Sequence, residues 1–140
     1  MIEDILISEA KVIDSKFLWE LRNESSIREM MKDNSIIDWR THEEWFLKVL
    51  NNNNSHIYIG FLKKQPVAMV RFDLSKSFKQ AFEISIAVKT KFQGIGIAKK
   101  LLQESMETLA YKLTEGYQII SIVKKKNWKS IKFFEKYGFI

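Results

Sequence analysis

The sequence predicts a single mixed α/β domain, and three observations support that prediction. The chain has 140 residues, which suits one domain with its own hydrophobic core. Residues 81–88 alternate apolar and other side chains, as a strand does. A glycine-bearing segment follows them and begins the strongest helical pattern of the chain, residues 97–113. Together these features indicate helices packed on a central sheet.

The first third of the chain predicts one strand and three helices. The strand lies near residues 5–12, and short helices lie at 15–22 and 26–32, with Asp14 or Ser15 as the first N-cap. Thr41 and Glu44 have the spacing of a capping box, which predicts the start of a third helix. The apolar stripe of that helix consists of Trp45, Phe46, Val49 and Leu50.

Three strands are predicted next. Residues 56–62 and 67–73 form a hairpin around a turn that contains Pro66. In residues 81–88, one predicted face carries Phe82, Ile84, Ile86 and Val88, and the other carries Glu83, Ser85 and Ala87. We expect this strand to lie centrally in the sheet.

The last third predicts two helices and one strand. The long helix ends at Gly116, a strand covers residues 117–123, and Asn127 caps a final helix. The final helix carries Trp128, Ile131 and Phe134. The predicted order is β, helices, βββ, α, β, α.

Composition excludes several classes of function. The chain has no cysteine and two histidines, so we expect no disulfide, no thiolate chemistry and no metal. No signal peptide or membrane-spanning run is visible, so we expect a cytoplasmic protein without membrane contact. The net charge of +6 favours an anionic ligand. The basic runs at 63–64 and 124–126 lack interleaved aromatic residues, so nucleic acid is not expected.

The loop of residues 93–98 is a candidate pyrophosphate site. Gly94 and Gly96 let backbone N–H groups approach a ligand, and a helix N-terminus attracts phosphate oxygens. Lys99 occupies the place of the third glycine of a dinucleotide fingerprint, and the Lys-Ser/Thr pair of a P-loop is missing. The alternative is a helix start whose glycines serve only close packing.

Two motifs resemble one family. Gln93-x-x-Gly96-x-Ala98 is similar to the Gln/Arg-x-x-Gly-x-Gly/Ala signature of the GNAT superfamily of acetyl-CoA-dependent N-acetyltransferases. Residues 127–139, from Asn127 to the Gly-Phe pair, resemble the ending of the same family. The resemblance implies a mostly antiparallel sheet in a three-layer α/β/α domain, with strands four and five splayed around the coenzyme. It also implies acetyl-CoA contacts at Ile86, Ala87, Val88, Gln93, Gly94, Ile95, Gly96, Ile97, Ala98, Asn127 and Phe134.

Glu83 is the predicted catalytic base. A carboxylate on a central strand, beside small Ser85 and Ala87, has room for an amine or a relaying water, and many relatives have a glutamate here. The alternatives are a solvated sheet face and a structural hydrogen-bond network. Phe134 stands where many relatives have a tyrosine acid, and phenylalanine cannot donate a proton. An acid role for Tyr137, Tyr111 or Tyr58 stays unassigned.

The first helices predict the acceptor. Residues 18–23 and 37–46 resemble segments of GNAT enzymes that acetylate nucleotide-linked aminosugars in bacterial nonulosonic-acid and surface-glycan pathways. The candidate acceptor residues are Arg22, Asn23, Trp39, His42 and Trp45. Core packing is the alternative for Trp45, a buried satisfied histidine for His42, and a surface ion pair for Arg22.

Two other functions remain open at this stage. One is acetylation of protein N-termini of the ribosomal-protein type, and the other is a non-catalytic acetyl-CoA sensor, which Phe134 favours. The family usually continues into a closing strand after the Gly-Phe pair, and this sequence stops at Ile140. Three explanations stay open: a shortened chain, a naturally minimal enzyme, or an acceptor side that the second subunit of a homodimer completes.

Overall fold

The computed structural model describes residues 4–31, 33–113 and 116–140. Its strands are β1 (Ile5–Glu9), β2 (Ser55–Leu62), β3 (Gln65–Leu74), β4 (Ala81–Val88) and β5 (Gln118–Ile120). Its helices are α1 (Ser15–Asn23), α2 (Ser25–Arg28), α3 (Trp39–Leu50), α4 (Ile97–Lys112) and α5 (Trp128–Lys136). Short 3-10 turns cover Val12–Asp14 and Thr90–Phe92.

The five strands form one sheet in the order β1-β2-β3-β4-β5. The first four strands are antiparallel to their neighbours, and β5 runs parallel to β4. The β4–β5 pairing covers only residues 81–83 of β4. The sheet is therefore mixed and mostly antiparallel, and β4 is a central strand as predicted.

Helices cover both faces of the sheet. On one face, Leu101 of α4 and Phe134 of α5 join a core with Phe72, Phe82 and Ile84 of the strands. On the other face, a second core combines side chains of α1, α3 and the sheet, namely Phe17, Leu18, Leu21, Phe46, Ile57, Ile59 and Ala87. This is the predicted three-layer arrangement.

Gly60 explains how closely α4 approaches β2. A Cβ at this position would lie 2.6 Å from Cδ1 of Leu101, which is itself fully buried. The sheet register also shifts between Gly60 and Phe61. The absence of a side chain at Gly60 thus lets α4 pack directly on the sheet.

The boundaries of β1, α2 and α3 differ from the sequence predictions. β1 ends at Glu9, because the next residues form a 3-10 turn in which the Asp14 carboxylate accepts from the Lys11 N–H at 2.8 Å. α2 covers only Ser25–Arg28, and residue 32 of the predicted helix lies outside the described residues. The capping-box prediction at Thr41 is wrong, since α3 begins at Trp39 and the His42 N–H donates to Asp38 O.

The last boundaries also differ. α4 ends at Lys112, where Leu113 takes an extended backbone conformation, so the prediction that Gly116 ends this helix is wrong. β5 is shorter than the predicted 117–123 and stops at Ile120. Asn127 caps α5 as predicted, because its side chain accepts from the Ser130 N–H at 3.3 Å. In the part of the chain that the structure describes, none of the helices combines the length and apolar character needed to cross a bilayer.

Candidate active site

The edge of β4 opens where β5 leaves it. The Lys89 N–H donates to Val67 O and the Ser75 N–H donates to Ala81 O, each at 2.8 Å, so odd-numbered residues of β4 bond to β3. The backbone N–H and C=O groups of even-numbered residues point away from β3, towards β5. There, β5 pairs only with residues 81–83 of β4. Ile86 and Val88 therefore offer backbone groups to an extended ligand that lies along the strand edge.

Ala87, which was predicted with them, is placed differently. Its backbone polar groups are directed at β3, because it pairs with Met69 in the odd-numbered set. Its side chain is buried in the core under α1 and α3. Ile86 and Val88 are thus the edge residues, and Ala87 packs behind them.

The glycine loop has the geometry of an anion site. Gly94 and Gly96 have φ values of 81° and 92°, a left-handed region in which other residues are strained. Gly96 is the N-cap of α4 and provides no side-chain cap, so the first N–H groups of this 16-residue helix lack a side-chain partner. Such a helix N-terminus favours phosphate oxygens.

The space in front of the loop is open. A Cβ added at Gly94 would meet no atom of the described chain within 4 Å. Gln93 shapes the loop from behind, because its Nε2 donates to Val88 O at 3.0 Å. The loop and the open edge of β4 are thus joined by one hydrogen bond, and the residues present fit a diphosphate attached to an extended chain.

A second set of bonds joins this loop to the first helices. The Glu24 carboxylate, between α1 and α2, accepts from the Thr90 N–H at 3.0 Å and from the Thr90 hydroxyl at 2.7 Å. The Ser26 hydroxyl lies 2.8 Å from Thr90 Oγ1. Because Thr90 begins the turn that leads into Gln93, these contacts position the glycine loop against the α1–α2 segment.

Replacing Glu24 with alanine should weaken binding at the glycine loop. The change removes a charged acceptor for two hydrogen bonds, so we expect a loss of affinity for coenzyme A of about threefold to tenfold. Isothermal titration measures it. Glu20→Ala, which removes an exposed glutamate of the preceding helix α1, is the matched control. Equal affinities of the two variants would contradict a positioning role for Glu24.

Glu83 lies on the sheet face that α1 and α3 partly cover. It is half-buried and pairs with Asp73 of β3 across the strands. Among the described residues, its carboxylate makes no hydrogen bond and no ion pair. The alternative of a structural hydrogen-bond network at Glu83 therefore has no support among the described residues.

The neighbouring polar residues are already paired. Asp73 accepts from the Ser55 hydroxyl through Oδ1 at 2.8 Å, and its Oδ2 lies 2.7 Å from Arg71 Nε. The Nε–H does not point at that oxygen, so the second contact is an ion pair without hydrogen-bond geometry. The Trp45 ring centroid lies 5.2 Å from the Arg71 Cζ. Sequence reasoning missed Arg71 and Asp73.

Two predicted acceptor residues hold the loop before α3. Asn23 donates to Ile37 O and accepts from the Ile37 N–H, each at 2.9 Å. Arg22 donates to Asp33 O at 2.8 Å and to Ser35 O at 3.5 Å. Arg22 is therefore bound to backbone carbonyls, and the amide of Asn23 uses one N–H and its oxygen to hold the backbone of Ile37.

His42 is buried in the core. It is 4% exposed, its ring stacks on Phe46, and its Nε2 lies 2.9 Å from Ser15 O. Because a carbonyl only accepts, Nε2 carries the proton. His42 is therefore a satisfied buried histidine, which is the alternative reading, and its contact with the acceptor stays a prediction.

This burial makes the stability of the fold pH-dependent. Burial lowers the pKa of His42 below its ordinary value of 6.5, against the opposing hydrogen bond to Ser15, and burial lowers the pKa of His56 likewise. The unfolded chain therefore takes up protons first as the pH falls below 6.5, which favours unfolding. We expect the free energy of unfolding to decrease from about pH 7.5 to about pH 5.5.

The histidine substitutions test that expectation by denaturant titration. His42→Gln keeps a donor for Ser15 O and removes the titrating ring, so its unfolding free energy should depend less on pH in this interval. His56→Gln is the matched variant for the second histidine. An unchanged pH dependence in the double variant would contradict the assignment.

Trp39 and Trp45 remain available to an acceptor. They are 37% and 38% exposed, and Trp39 packs edge-on against Trp19 with ring centroids 5.4 Å apart. The core-packing alternative for Trp45 is wrong, since it is Phe46, 0% exposed, that enters the core. α3 thus presents two indole rings beside the sheet.

Phe134 is a core residue. It is buried, and its ring centroid lies 4.9 Å from that of Phe139. Tyr58 is buried on the face opposite to Glu83, and burial raises its pKa. Tyr111 is 93% exposed on α4, and Tyr137 lies beside Lys99 at the start of α4. Among the described residues, no tyrosine hydroxyl is hydrogen-bonded to Glu83, so a proton donor stays unassigned.

Comparisons with known proteins agree with this geometry, in which an open strand edge, a glycine loop and a half-buried carboxylate lie on one strand–loop–helix unit. The family model for the acetyltransferase (GNAT) family matches residues 17–139. The chain therefore belongs to the GNAT family, and it is an N-acetyltransferase with acetyl-CoA as the acetyl donor. A search of curated protein sequences found no match.

Solved structures show the same fold. An N-acetyltransferase from Staphylococcus aureus Mu50 has a TM-score of 0.80 at 21% identity, over 95% of this chain and 81% of its own. A ribosomal-protein-alanine N-acetyltransferase from Brucella melitensis has a TM-score of 0.78 at 21% identity, over 95% and 83%. A spermidine N-acetyltransferase from Vibrio cholerae, in complex with CoA and spermine, has a TM-score of 0.84 at 17% identity, over 99% and 82%. The predicted mixed α/β fold, with its mostly antiparallel sheet flanked by helices, is confirmed.

Acetyl-CoA fits the residues present. Its pyrophosphate matches the glycine loop and the α4 N-terminus, and its extended arm matches the open edge at Ile86 and Val88. Gly94, Ile95, Gly96, Ile97 and Ala98 would hold the phosphates through backbone N–H groups, with Gln93 supporting the loop. Asn127 caps α5, and Phe134 packs in the hydrophobic core between α5 and the sheet. No cluster of three metal-ligating side chains occurs in residues 4–31, 33–113 and 116–140.

Proposed function

We propose that this chain acetylates a primary amine of a nucleotide-linked aminosugar and that Glu83 is the general base. The observation that carries the proposal is the free, half-buried carboxylate of Glu83, which lies on β4 a few residues before the open strand edge. The coenzyme supplies an activated acetyl thioester when it is bound. Glu83 takes the proton of the attacking amine, directly or through a water, as a positioned base does.

The positioning of the acetyl donor and the amine accounts for the rest of the proposed rate acceleration. The glycine loop and the edge of β4 fix the donor, while Glu83 fixes the amine on the same strand, so two reactants meet in one orientation. Backbone N–H groups of Ile86 and Val88 face the open edge and can polarise a carbonyl oxygen there. This arrangement needs no tyrosine at position 134.

The exposed rings of α3 support a sugar or a base as part of the acceptor. Trp39 and Trp45 are partly exposed on the helix that covers the Glu83 face. Flat aromatic surfaces of this kind pack against sugar and base rings. The resemblance of residues 18–23 and 37–46 to enzymes of nucleotide-linked aminosugars points to the same acceptor class.

An acceptor panel tests the proposal. Release of the coenzyme thiol is measured with a nucleotide-linked aminosugar, a peptide with N-terminal alanine, and spermidine, each with the wild type and Glu83→Gln. We expect release with the aminosugar and a much slower rate in the variant. Faster release with the peptide or with spermidine would show that the acceptor is a protein N-terminus or a polyamine and not an aminosugar. Tight acetyl-CoA binding without thiol release on any amine would favour a non-catalytic acetyl-CoA sensor.

A further inference from the structure

We propose that the guanidinium of Arg71 is an acceptor subsite that binds a negatively charged group, a phosphate or a carboxylate, which the acceptor carries near its amine. This inference rests on the proposed function, because it assigns the acceptor to the face of Glu83.

Arg71 lies next to the catalytic carboxylate. It stands on β3 opposite Ser85, and the next pair along the same face is Asp73 opposite Glu83. Directly opposite residues have Cβ atoms about 5 Å apart, and diagonal ones lie within reach of long side chains. An acceptor whose amine meets Glu83 therefore lies within reach of the Arg71 side chain.

Most donors of Arg71 are unused. Its Nε lies 2.7 Å from Oδ2 of Asp73 without hydrogen-bond geometry, and the other oxygen of Asp73 accepts from Ser55. Within the described chain, the two terminal nitrogens of Arg71 have no hydrogen-bond partner. A guanidinium has five N–H donors, and its terminal pair matches the two oxygens of a phosphate or a carboxylate.

Two neighbours hold the guanidinium in place. Asp73 fixes its Nε side, and Trp45 packs on it with a centroid distance of 5.2 Å to Cζ. The Arg71 side chain is 24% exposed, so it is accessible from the cleft and yet partly shielded from water. A preoriented, partly desolvated arginine binds an anion more strongly than a surface arginine does.

A second guanidinium adds to the positive field. Burial lowers the pKa of Arg22, and the positive charge of Arg71 lowers it further, while Asp33 acts in the opposite direction. The positive charges of Arg22 and Arg71 therefore repel each other, which is one of the causes of the lowered pKa of Arg22. An anion between α1 and the sheet relieves that repulsion, whereas a polycation such as spermidine would add to it.

The experiment compares acceptors that differ only in the anion. Protein saturated with coenzyme A, so that the glycine loop is occupied, is titrated with glucosamine 1-phosphate and with methyl glucosaminide. Alanine and alaninamide form a second pair, which separates a phosphate from a carboxylate as the preferred group. Affinities are measured for the wild type, Arg71→Met and Arg71→Lys. Arg40→Met is the matched control, because Arg40 is an exposed arginine of α3.

We expect the wild type to bind the anionic member of one pair about tenfold more tightly or better, as a charge-assisted hydrogen bond provides. Arg71→Met should remove this preference, Arg71→Lys should restore it in part, and Arg40→Met should keep it. A preference that survives in Arg71→Met would overturn the proposal. Equal binding of both members by the wild type, including no measurable binding of either, would overturn it as well.

The two proposals fail separately. The titration reads binding without turnover, so an anion preference that depends on Arg71 stands even if no acceptor is acetylated. If acetylation occurs and the ratio of kcat/KM between anionic and neutral acceptors is the same in Arg71→Met and wild type, the subsite is wrong and the acetyltransferase assignment stands. Coenzyme A affinity should be equal in all four proteins, which excludes a general loss of structure.

Discussion

Glu83→Gln lowers kcat/KM for the acceptor by about 100-fold to 10,000-fold and leaves the affinity for acetyl-CoA unchanged. The size of the effect is that of a positioned general base, and glutamine has the shape of glutamate without its ability to accept the proton. The carboxylate has no structural partner in the described chain, so its removal should not disturb the fold. Thiol release and isothermal titration give the two quantities.

The control for this variant is Glu44→Gln. Glu44 is an exposed glutamate of α3 that pairs with Arg40, so it should keep wild-type turnover. Retention of more than about half of the wild-type rate in Glu83→Gln would show that proton transfer does not depend on Glu83, since loss of a general base costs far more. Water or another group would then be the base, and Glu83 would be a residue of a solvated sheet face.

Gly94→Val should abolish tight coenzyme binding. The φ of 81° at Gly94 is strained for a β-branched residue, and the new side chain would enter the open space in front of the loop. Loss of two charge-assisted backbone hydrogen bonds corresponds to about 3 kcal/mol or more, which is at least about 100-fold in Kd. Titration with coenzyme A measures the change directly.

The variant Gly138→Val distinguishes the effect of backbone strain on stability from the direct effect of Gly94→Val on coenzyme binding. Gly138 has a comparable φ of 97°, its surroundings are equally open, and it follows α5 rather than preceding α4. We expect Gly138→Val to lose similar stability and to keep more of the coenzyme affinity than Gly94→Val. Equal loss of affinity in the two variants would mean that the glycine loop acts through stability alone.

The fold was predictable where periodicity is strong and long. The predicted helix at 97–113 and the strand at 81–88 match α4 and β4 almost to the residue, because each buries a regular stripe in the core. The start of α3 was not predictable from local signals. Thr41 and Glu44 have the right spacing, but Trp39 packs on Trp19, which lies far away in sequence, and the helix begins earlier.

The chemistry of the candidate site is predicted from local sequence and stays a prediction, whereas the contacts of its side chains follow only from the fold. Residue types and spacing indicated Glu83 and the glycine loop, since both depend on a local strand–loop–helix unit. Whether a polar side chain is free depends on the fold, and His42 and Asn23 turned out to be bonded to backbone groups. Arg71 was missed because its place beside Glu83 follows from the register of β3 on β4.

Glu24 was missed for a related reason. Its two bonds to Thr90 join residues 66 positions apart, and nothing in either segment signals the other. The terminal part of β5 shows the same limit, since its apolar run continues beyond Ile120 while the pairing with β4 stops at Glu83. Divergence of two strands is a property of the assembled sheet and is invisible in either strand alone.

The most direct test of the account is thiol release from acetyl-CoA in the presence of a nucleotide-linked aminosugar, measured side by side for the wild type and Glu83→Gln at equal coenzyme saturation. The account predicts release by the wild type that requires the amine, and release by Glu83→Gln slower by about 100-fold or more. Equal rates in the two proteins, or no binding of acetyl-CoA by the wild type, would contradict it.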